Sequence, residues 1–356
     1  MTNGRPATAA GRAPPDDPGM DHAPGEAASA NGSDLDPEIR RFIRTVVASA
    51  GDPPAAGPLP FPEQRRRAEQ AREPWRQGGP AMHETRELAV PSHHGPVRAR
   101  LYRPAAGTLP GLVYLHGGGW TLFSIDTHDR LMREYAARAG CAVVGIDYAL
   151  SPEYKFPAAL EQVVDALQCL AGQGDAYGID ARRLAIGGDS AGANLGVAAS
   201  LVRRDQRASP PLCAMVLNYG AFVTSCSPEA CRRYGGPDYM LGCEEMAGYW
   251  HNYLRDAADA EDPLACPLLA SLDGLPPAFL AVAECDILAE QSREMARRLR
   301  AAGVPAREVV YRGASHSFLE AMSIAAISDA ALADASAWLR QAFREAGAPA
   351  GRDAMA

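Results

Sequence analysis

Residues 183–192 read Arg-Leu-Ala-Ile-Gly-Gly-Asp-Ser-Ala-Gly, and the run that follows them, residues 193–204, has the apolar spacing of a helix. The apolar start of this stretch predicts a strand. A serine on a tight strand-to-helix turn needs glycine on both sides to avoid clashes, and Gly188 and Gly192 flank Ser190 in this way. The context therefore predicts a nucleophile elbow. The pentapeptide alone is a weak signal, because an ordinary glycine-rich turn is the alternative.

Short β-rich runs alternate with helical runs from residue 83 onward, a pattern typical of a mostly parallel sheet with helices on both faces. The predicted strands lie at residues 86–90, 97–103, 111–117, 141–147, 183–189, 213–219, 278–284 and 307–313. The predicted helices lie near residues 127–139, 158–171, 193–204, 292–302 and 326–343. The fold class is therefore predicted as α/β, with an eight-stranded sheet.

The rest of the chain divides into segments of different composition. The first 34 residues are rich in Pro, Gly, Ala, Asp and Ser and predict a disordered tail. Asp36 followed by proline and by apolar residues at helical spacing predicts a helix, and a more polar helix follows it. The predicted organisation is a tail (1–34), an N-terminal helical segment (35–82) and a catalytic domain (83–348) that contains a long insertion (221–263).

A second glycine-rich motif, His116-Gly117-Gly118-Gly119-Trp120, ends the predicted strand at residues 111–117. Consecutive glycines let backbone N–H groups approach a ligand atom, here a developing oxyanion. The amides of Gly117 and Gly118 are the predicted donors, with the amide of Ala191 as the third. A flexible turn is the alternative. His116 precedes Ser190, so a role in positioning the loop is favoured over a role as base.

The base should follow a late strand, and His251 and His316 are the histidines after Ser190. His316 comes after the last predicted strand through a glycine-containing loop, which favours it as the general base. A loop histidine bonded to the backbone is the alternative. His251 lies in the helical insertion and is interpreted as a pocket or surface residue.

The acid should lie between the serine and the histidine, on the loop after the penultimate strand. Asp286 occupies that place, and its carboxylate would hold His316 in the correct tautomer. Glu284 and Glu290 compete with it. Glu284 continues the strand and Glu290 falls in the next helix, so structural hydrogen bonds are the favoured roles for both.

The composition restricts the partner. A net charge of −8 and a pI near 5.5 give no basic patch for nucleic acid or for an anionic membrane, so the partner is predicted to be a small uncharged molecule. No segment has the ~18 apolar residues of a membrane span. The predicted serine chemistry needs no metal and no organic cofactor.

The eight cysteines show no metal-ligand spacing, and several lie in apolar runs, which favours free, buried thiols in a reducing compartment. A bridge between Cys226 and Cys231 stays open. No secretory signal is recognised at the N-terminus, and a cytoplasmic location is predicted.

These motifs, in this order over about residues 84–345, resemble the hormone-sensitive-lipase-like branch of the α/β-hydrolases, and within it the bacterial acetyl esterases. The resemblance rests on the motif at 116–120, on residues 146–161, on Gly-Asp-Ser-Ala-Gly and on the loops that carry Asp286 and His316. It implies an α/β-hydrolase fold whose N-terminal helices and insertion form a cap. It also implies that Asp147, Tyr148, Pro152 and Glu153 support the glycine loop. Two positions depart from the usual pattern, Ile287 in place of proline and Ser317 in place of glycine.

The resulting prediction is a serine carboxylesterase that hydrolyses short-chain, acetyl-like esters through an acyl-enzyme. An amidase or formamidase with the same triad is the alternative, and a non-catalytic ligand-binding homologue is less favoured. Aromatic residues of the glycine loop, the strand ends and the insertion are candidate substrate contacts, with burial in the core as the competing interpretation. They are Trp120, Phe123, Tyr219, Phe222 and Trp250. A homodimer stays open.

Overall fold

The predicted strands form one sheet in the computed structural model, which describes residue 1 and residues 34–51 and 57–348. The strands are β1 (Glu84–Val90), β2 (Val97–Arg103), β3 (Leu109–Leu115), β4 (Ala142–Ile146), β5 (Ile179–Asp189), β6 (Ala214–Asn218), β7 (Ala278–Cys285) and β8 (Ala306–Ser315). Their order in the sheet is β1-β2-β4-β3-β5-β6-β7-β8. The pairs β1/β2 and β2/β4 are antiparallel and the other neighbours are parallel. The prediction of an eight-stranded, mostly parallel sheet is confirmed.

The register of the parallel strands brings distant parts of the chain to one edge of the sheet. Asp189 of β5 pairs with Asn218 of β6, and Cys285 of β7 pairs with Ser315 of β8. Because neighbouring parallel strands end at the same edge, the loops after β5, β7 and β8 meet there. These are the loops that carry the predicted nucleophile, acid and base.

Helices cover both faces of the sheet, as the alternating pattern predicts. They are α1 (Pro37–Ser49), α2 (Phe61–Arg76), α3 (Asp129–Ala139), α4 (Ala158–Gln173), α5 (Ala191–Asp205), α6 (Pro228–Tyr234), α7 (Cys243–Tyr253), α8 (Ala289–Ala301) and α9 (Ala326–Gly347). Helix α3 packs against α9, and α4 packs against α5. Helix α5 is buried along almost its whole length, and its small residues let it lie close to the sheet.

Helix α1 precedes the sheet but packs into the same hydrophobic core. The side chain of Asp36 caps it by accepting from the N–H groups of Glu38 and Ile39, at 2.8 and 3.2 Å. Its apolar face is buried, and the ring of Phe42 packs edge-on against Trp75 of α2 with centroids 4.6 Å apart. The two N-terminal helices are therefore anchored to each other and to the sheet. Apart from residues 1 and 34, the predicted tail lies outside the described residues.

The structure contains a disulfide that the sequence analysis did not predict. Cys231, in the last turn of α6, is bonded to Cys243, the first residue of α7, with the two Cα atoms 5.9 Å apart. The cysteine pattern favoured free thiols, and the open alternative paired Cys231 with Cys226, which is free. The expectation of free thiols holds for the other six cysteines and is wrong for Cys231 and Cys243, and the Cys226–Cys231 bridge is wrong. The pairing depends on how α6 and α7 fold back on each other, which sequence spacing does not reveal.

Within the described ranges, none of the helices combines the length and the apolar composition needed to cross a bilayer.

Candidate active site

The nucleophile elbow has the backbone geometry that the glycines allow. Ser190 lies between β5 and α5 with φ 54° and ψ −117°, a backbone conformation that residues other than glycine rarely adopt. A Cβ on Gly192 would lie 2.0 Å from the carbonyl oxygen of Leu115, and a Cβ on Gly188 would lie 2.5 Å from the same atom. Glycine is therefore required at both positions, because the end of β3 leaves no room for a side chain.

Three polar side chains form a hydrogen-bonded series at this edge of the sheet. Nε2 of His316 lies 2.9 Å from Oγ of Ser190, and Nδ1 of His316 lies 2.7 Å from Oδ2 of Asp286. The carboxylate accepts a hydrogen bond from the Nδ1–H group, which leaves Nε2 without a proton and able to take up the serine proton. All three residues are buried, with at most 6% of each exposed.

The electrostatic surroundings favour the charged form of the imidazole. Burial lowers the pKa of His316, but the adjacent carboxylate of Asp286 outweighs it, and the pKa is raised above its ordinary value. A base with a raised pKa takes up the serine proton more readily, and its cation is stabilised once it has formed.

The competing candidates make other contacts. Glu284 accepts a hydrogen bond from the N–H of Gly313 at 3.0 Å, and Glu290 is exposed in the first turn of α8. His251 is exposed on α7. His116 is buried, and its Nδ1 donates to the carbonyl oxygen of Gly117 at 2.7 Å, which fits a role in holding the loop.

The conformation of the glycine loop argues against Gly117 as one of the predicted oxyanion donors. Gly117 does not line the cavity in front of Ser190, and its backbone nitrogen lies 3.4 Å from Nε2 of buried His128. Gly118 and Gly119 line the cavity in front of Ser190 and have positive φ angles of 105° and 59°. Ala191 is the first residue of α5, so its N–H has no partner within the helix. We therefore replace Gly117 by Gly119 in the predicted set of donors.

The cavity in front of Ser190 has a volume of about 440 Å³. Residues of α1 and α2, of the glycine loop, of the insertion and of the histidine loop line it together. They include Val46, Val47, Ala68, Arg72, Leu122, Phe123, Met240, Leu241, Glu245, Met246, Tyr249 and Ser317. The walls are mostly apolar, as expected of a site for a small organic ligand.

The predicted substrate contacts Trp120, Tyr219, Phe222 and Trp250 are corrected by this lining, because all four pack in the core instead. The ring of Trp120 stacks on Tyr253 with centroids 4.2 Å apart. Tyr219 does touch the site indirectly, since its ring packs edge-on against the imidazole of His316 at 5.1 Å. Phe123, the fifth candidate, lines the cavity. These four rings therefore belong to the hydrophobic core, as the competing interpretation held.

A buried polar group behind the nucleophile was missed by the sequence analysis. Oδ1 of Asp189 accepts a hydrogen bond from the hydroxyl of Tyr114 at 2.9 Å, and Oδ2 lies 3.3 Å from Nε2 of His128. Burial raises the pKa of Asp189, but the positive charge of His128 outweighs it and holds the pKa below its usual value. The ionised carboxylate therefore fixes the end of β5. In the sequence, the one signal for this role of Asp189 was its position directly before Ser190 in Gly-Asp-Ser-Ala-Gly.

Of the four residues that the family resemblance assigned to loop support, Tyr148 contacts the glycine loop directly and Glu153 does so through Arg65. The hydroxyl of Tyr148 donates to the carbonyl oxygen of His116 at 2.7 Å. Glu153 pairs with Arg65 of α2 at 2.6 Å, and Nε of Arg65 donates to the carbonyl oxygen of Thr121 at 2.9 Å. The loop is thus held from both sides by residues that lie outside the cavity.

A serine, an imidazole and a carboxylate linked in this way, at the carboxyl edge of a mostly parallel sheet, are the arrangement of a serine hydrolase of the α/β type.

Comparison with known proteins agrees with this class. Residues 112–320 match the protein family described as "alpha/beta hydrolase fold". An acetyl esterase of Salmonella choleraesuis is 38% identical over 262 residues, which cover 73% of this chain and 80% of the relative. A hyperthermophilic esterase from the archaeon Pyrobaculum calidifontis superimposes with a TM-score of 0.81 at 34% identity, covering 86% of this chain and 98% of that one. A thermostable carboxylesterase from a metagenomic library has a TM-score of 0.77 at 33% identity, with coverage of 80% and 98%.

The chain belongs to the α/β-hydrolase family, and the resemblance to its hormone-sensitive-lipase-like branch is confirmed. It is a serine carboxylesterase, and the comparisons do not favour the amidase alternative.

Proposed function

We propose that Ser190 is the nucleophile of this esterase, His316 its general base and acid, and Asp286 the group that orients the imidazole. The observation that carries the proposal is the unbroken series of hydrogen bonds, 2.9 and 2.7 Å long, that joins the three side chains. We further propose that the N–H groups of Gly118, Gly119 and Ala191 bind the oxyanion.

In the first half of the reaction, Oγ of Ser190 attacks the ester carbonyl carbon while Nε2 of His316 removes the hydroxyl proton. The carbonyl π electrons move to its oxygen, which becomes an oxyanion facing the three amides. The tetrahedral intermediate collapses when the bond to the alcohol oxygen breaks and His316 gives its proton to that oxygen. An acyl group then remains on Ser190.

In the second half, a water molecule replaces the departed alcohol. His316 removes a proton from the water as its oxygen attacks the acyl carbon, and the same amides hold the second oxyanion. The bond to Oγ then breaks, Oγ recovers the proton from His316, and the carboxylic acid leaves. Each cycle consumes one ester and one water and restores the enzyme.

We propose that the acyl groups are short. The curated relatives are named acetyl esterases, and the cavity of about 440 Å³ must hold the alcohol part as well as the acyl part. Along the p-nitrophenyl series from acetate to laurate, we expect kcat/KM to be highest at acetate or butyrate and at least about tenfold lower at laurate. Steady-state rates measure this. An aryl acetamide is the control for leaving group, and we expect much slower cleavage. Faster turnover of laurate would contradict the acyl-length proposal alone.

We propose that α1, α2 and the insertion at residues 221–263 act as a cap over the substrate. A buried ion pair ties the cap to the catalytic side of the cavity. Nε of Arg72 in α2 lies 2.6 Å from Oε2 of Glu320, four residues after His316, and the two side chains are 8% and 7% exposed. The same guanidinium lies 4.8 Å from the ring centroid of Phe123 and contacts the sulfur of Met240.

Removing one partner of this pair leaves a buried, unpaired charge. Arg72→Met or Glu320→Gln should therefore each lower the free energy of unfolding by about 3–5 kcal/mol, whereas the double variant should lose clearly less than the sum. Urea unfolding of the four proteins measures the coupling, and Arg297→Met, in an exposed pair on α8, is the control. Additive losses would show that the pair does not stabilise the cap.

We propose a small-molecule ester as the partner, while the cytoplasmic location and a homodimer stay predictions. The cysteines other than Cys231 and Cys243 are free, which supports a reducing compartment, but the disulfide is more typical of an oxidising one. Thiol titration of freshly isolated protein would decide between the two states of that pair.

A further inference from the structure

Two adjacent histidines lie at the turn between β1 and β2, away from the cavity. Residues 91–96 read Pro-Ser-His-His-Gly-Pro, and the N–H of Gly95 donates to the carbonyl oxygen of Ser92 at 3.0 Å. Gly95 has a φ of 93°, which closes the turn with His93 and His94 at its two central positions. In a strand, neighbouring side chains would point to opposite faces. In this turn the two imidazole rings have centroids only 4.6 Å apart.

Helix α4 presents two carboxylates to these histidines. Glu161 and Asp165 are four residues apart and therefore share one face of the helix. Oε2 of Glu161 lies 2.5 Å from Nε2 of His94 and 3.7 Å from Nε2 of His93. One possible ligand atom from each of His93, His94 and Glu161 lies within 4.8 Å of the other two.

Asp165 determines which nitrogen of His93 is free. Its Oδ2 lies 2.6 Å from Nδ1 of His93 and also accepts the backbone N–H of His93 at 3.0 Å. The Nδ1–H group of His93 donates a hydrogen bond to this carboxylate. Nε2 then carries no proton, and its lone pair faces Glu161. A carboxylate bound to the far nitrogen of a histidine is how proteins orient imidazoles that bind metals.

We propose that this cluster binds a divalent transition-metal ion such as Zn²⁺, through Nε2 of His93, Nε2 of His94 and a carboxylate oxygen of Glu161. Imidazole nitrogens and carboxylate oxygens are ordinary zinc ligands, held about 2.0–2.1 Å from the ion and hence about 3.4 Å from one another. The His93 to Glu161 distance is already close to this value. The shorter His94 to Glu161 contact must open by about 1 Å. The side chains of His94 and Glu161, 34% and 40% exposed, have room to do so.

The competing explanation is a pair of ordinary surface interactions between imidazoles and carboxylates, and zinc titration separates the two. In calorimetry without reducing agent, we expect the wild type to bind one Zn²⁺ more tightly than any background sites. His94→Ala and Glu161→Gln should each weaken this Kd at least about tenfold. The matched control is His251→Ala, because His251 is exposed and lies outside the cluster. The variants share all cysteines with the wild type, so thiol binding cancels in the comparison.

Thermal unfolding gives a second readout. Because only the folded chain holds the three ligands together, Zn²⁺ should raise the Tm of the wild type and of His251→Ala but not of His94→Ala. The cluster residues do not contribute to the cavity lining, so ester turnover of every variant in metal-free buffer should stay within about twofold of wild type, which also verifies folding. Equal zinc affinity and equal Tm shifts in wild type, His94→Ala and Glu161→Gln would overturn the proposal.

Discussion

Replacing Ser190 by alanine should lower kcat for p-nitrophenyl acetate by about 10⁴- to 10⁶-fold, because the acyl-enzyme can no longer form. The fold should persist, since alanine keeps the Cβ that this backbone conformation already accommodates. Intact-protein mass spectrometry after treatment with a reactive organophosphonate gives an independent readout. The wild type should gain one covalent adduct, and Ser190→Ala should gain none.

Ser200→Ala is the matched control for this variant. Ser200 is a buried serine on the same helix, α5, where its hydroxyl donates to the carbonyl oxygen of Gly196 at 2.8 Å. It is expected to keep its turnover within a few fold of wild type and to take up the organophosphonate. Undiminished turnover in Ser190→Ala, or an unchanged adduct, would remove Ser190 from the mechanism.

Replacing Asp286 by asparagine should lower kcat by about 10⁴-fold while leaving the structure intact. The asparagine amide can turn its NH₂ group toward Nδ1, which favours the tautomer with the proton on Nε2, so Nε2 can no longer accept the serine proton. Glu284→Gln is the control, because this neighbouring acid bonds the N–H of Gly313, which a glutamine oxygen can still accept. Comparable losses in Glu284→Gln and Asp286→Asn would show that Asp286 has no special role.

The pH dependence follows from the same carboxylate. His316 must be neutral to act as base, and Asp286 raises its pKa above the ordinary histidine value despite burial. In the wild type, kcat/KM should therefore fall as the pH drops through that raised pKa. In Asp286→Asn the opposing effect of burial remains, so the acid limb should move to lower pH. Measurements of kcat/KM across the acid pH range test this. An acid limb at the same pH in the wild type and in Asp286→Asn would contradict the assignment.

Much of the fold was predictable because its signals are local. Each of the eight strands was predicted within a few residues of its bounds, because the residue types and periodicity of a short run are enough to identify it as a strand. The order of serine, acid and histidine was readable for the same reason: each candidate directly follows a strand, and strand ends meet at one edge. The choice of Asp286 over Glu284 rested on position alone, and the hydrogen bond to His316 agrees with it.

The features that were not predicted depend on how side chains and backbone amides are oriented. The spacing of residues along the sequence does not reveal these orientations. Three successive glycines gave no means of telling that Gly118 and Gly119 line the cavity whereas Gly117 does not. The aromatic residues were assigned to the substrate, although Trp120 is fully buried in the core. The buried pair of Arg72 and Glu320 joins two helical segments 248 residues apart, and no local pattern links them.

The composition of the cavity walls has a consequence for how this enzyme can diversify. Val47 and Ala68 come from helices that precede the first strand, while Met240 and Met246 come from the stretch between β6 and β7. The reacting serine, by contrast, sits in a turn where neighbouring glycines tolerate no added atom. Part of the cavity wall is thus encoded far from the catalytic residues, so mutations in those stretches can change which substrates fit without touching the reacting groups.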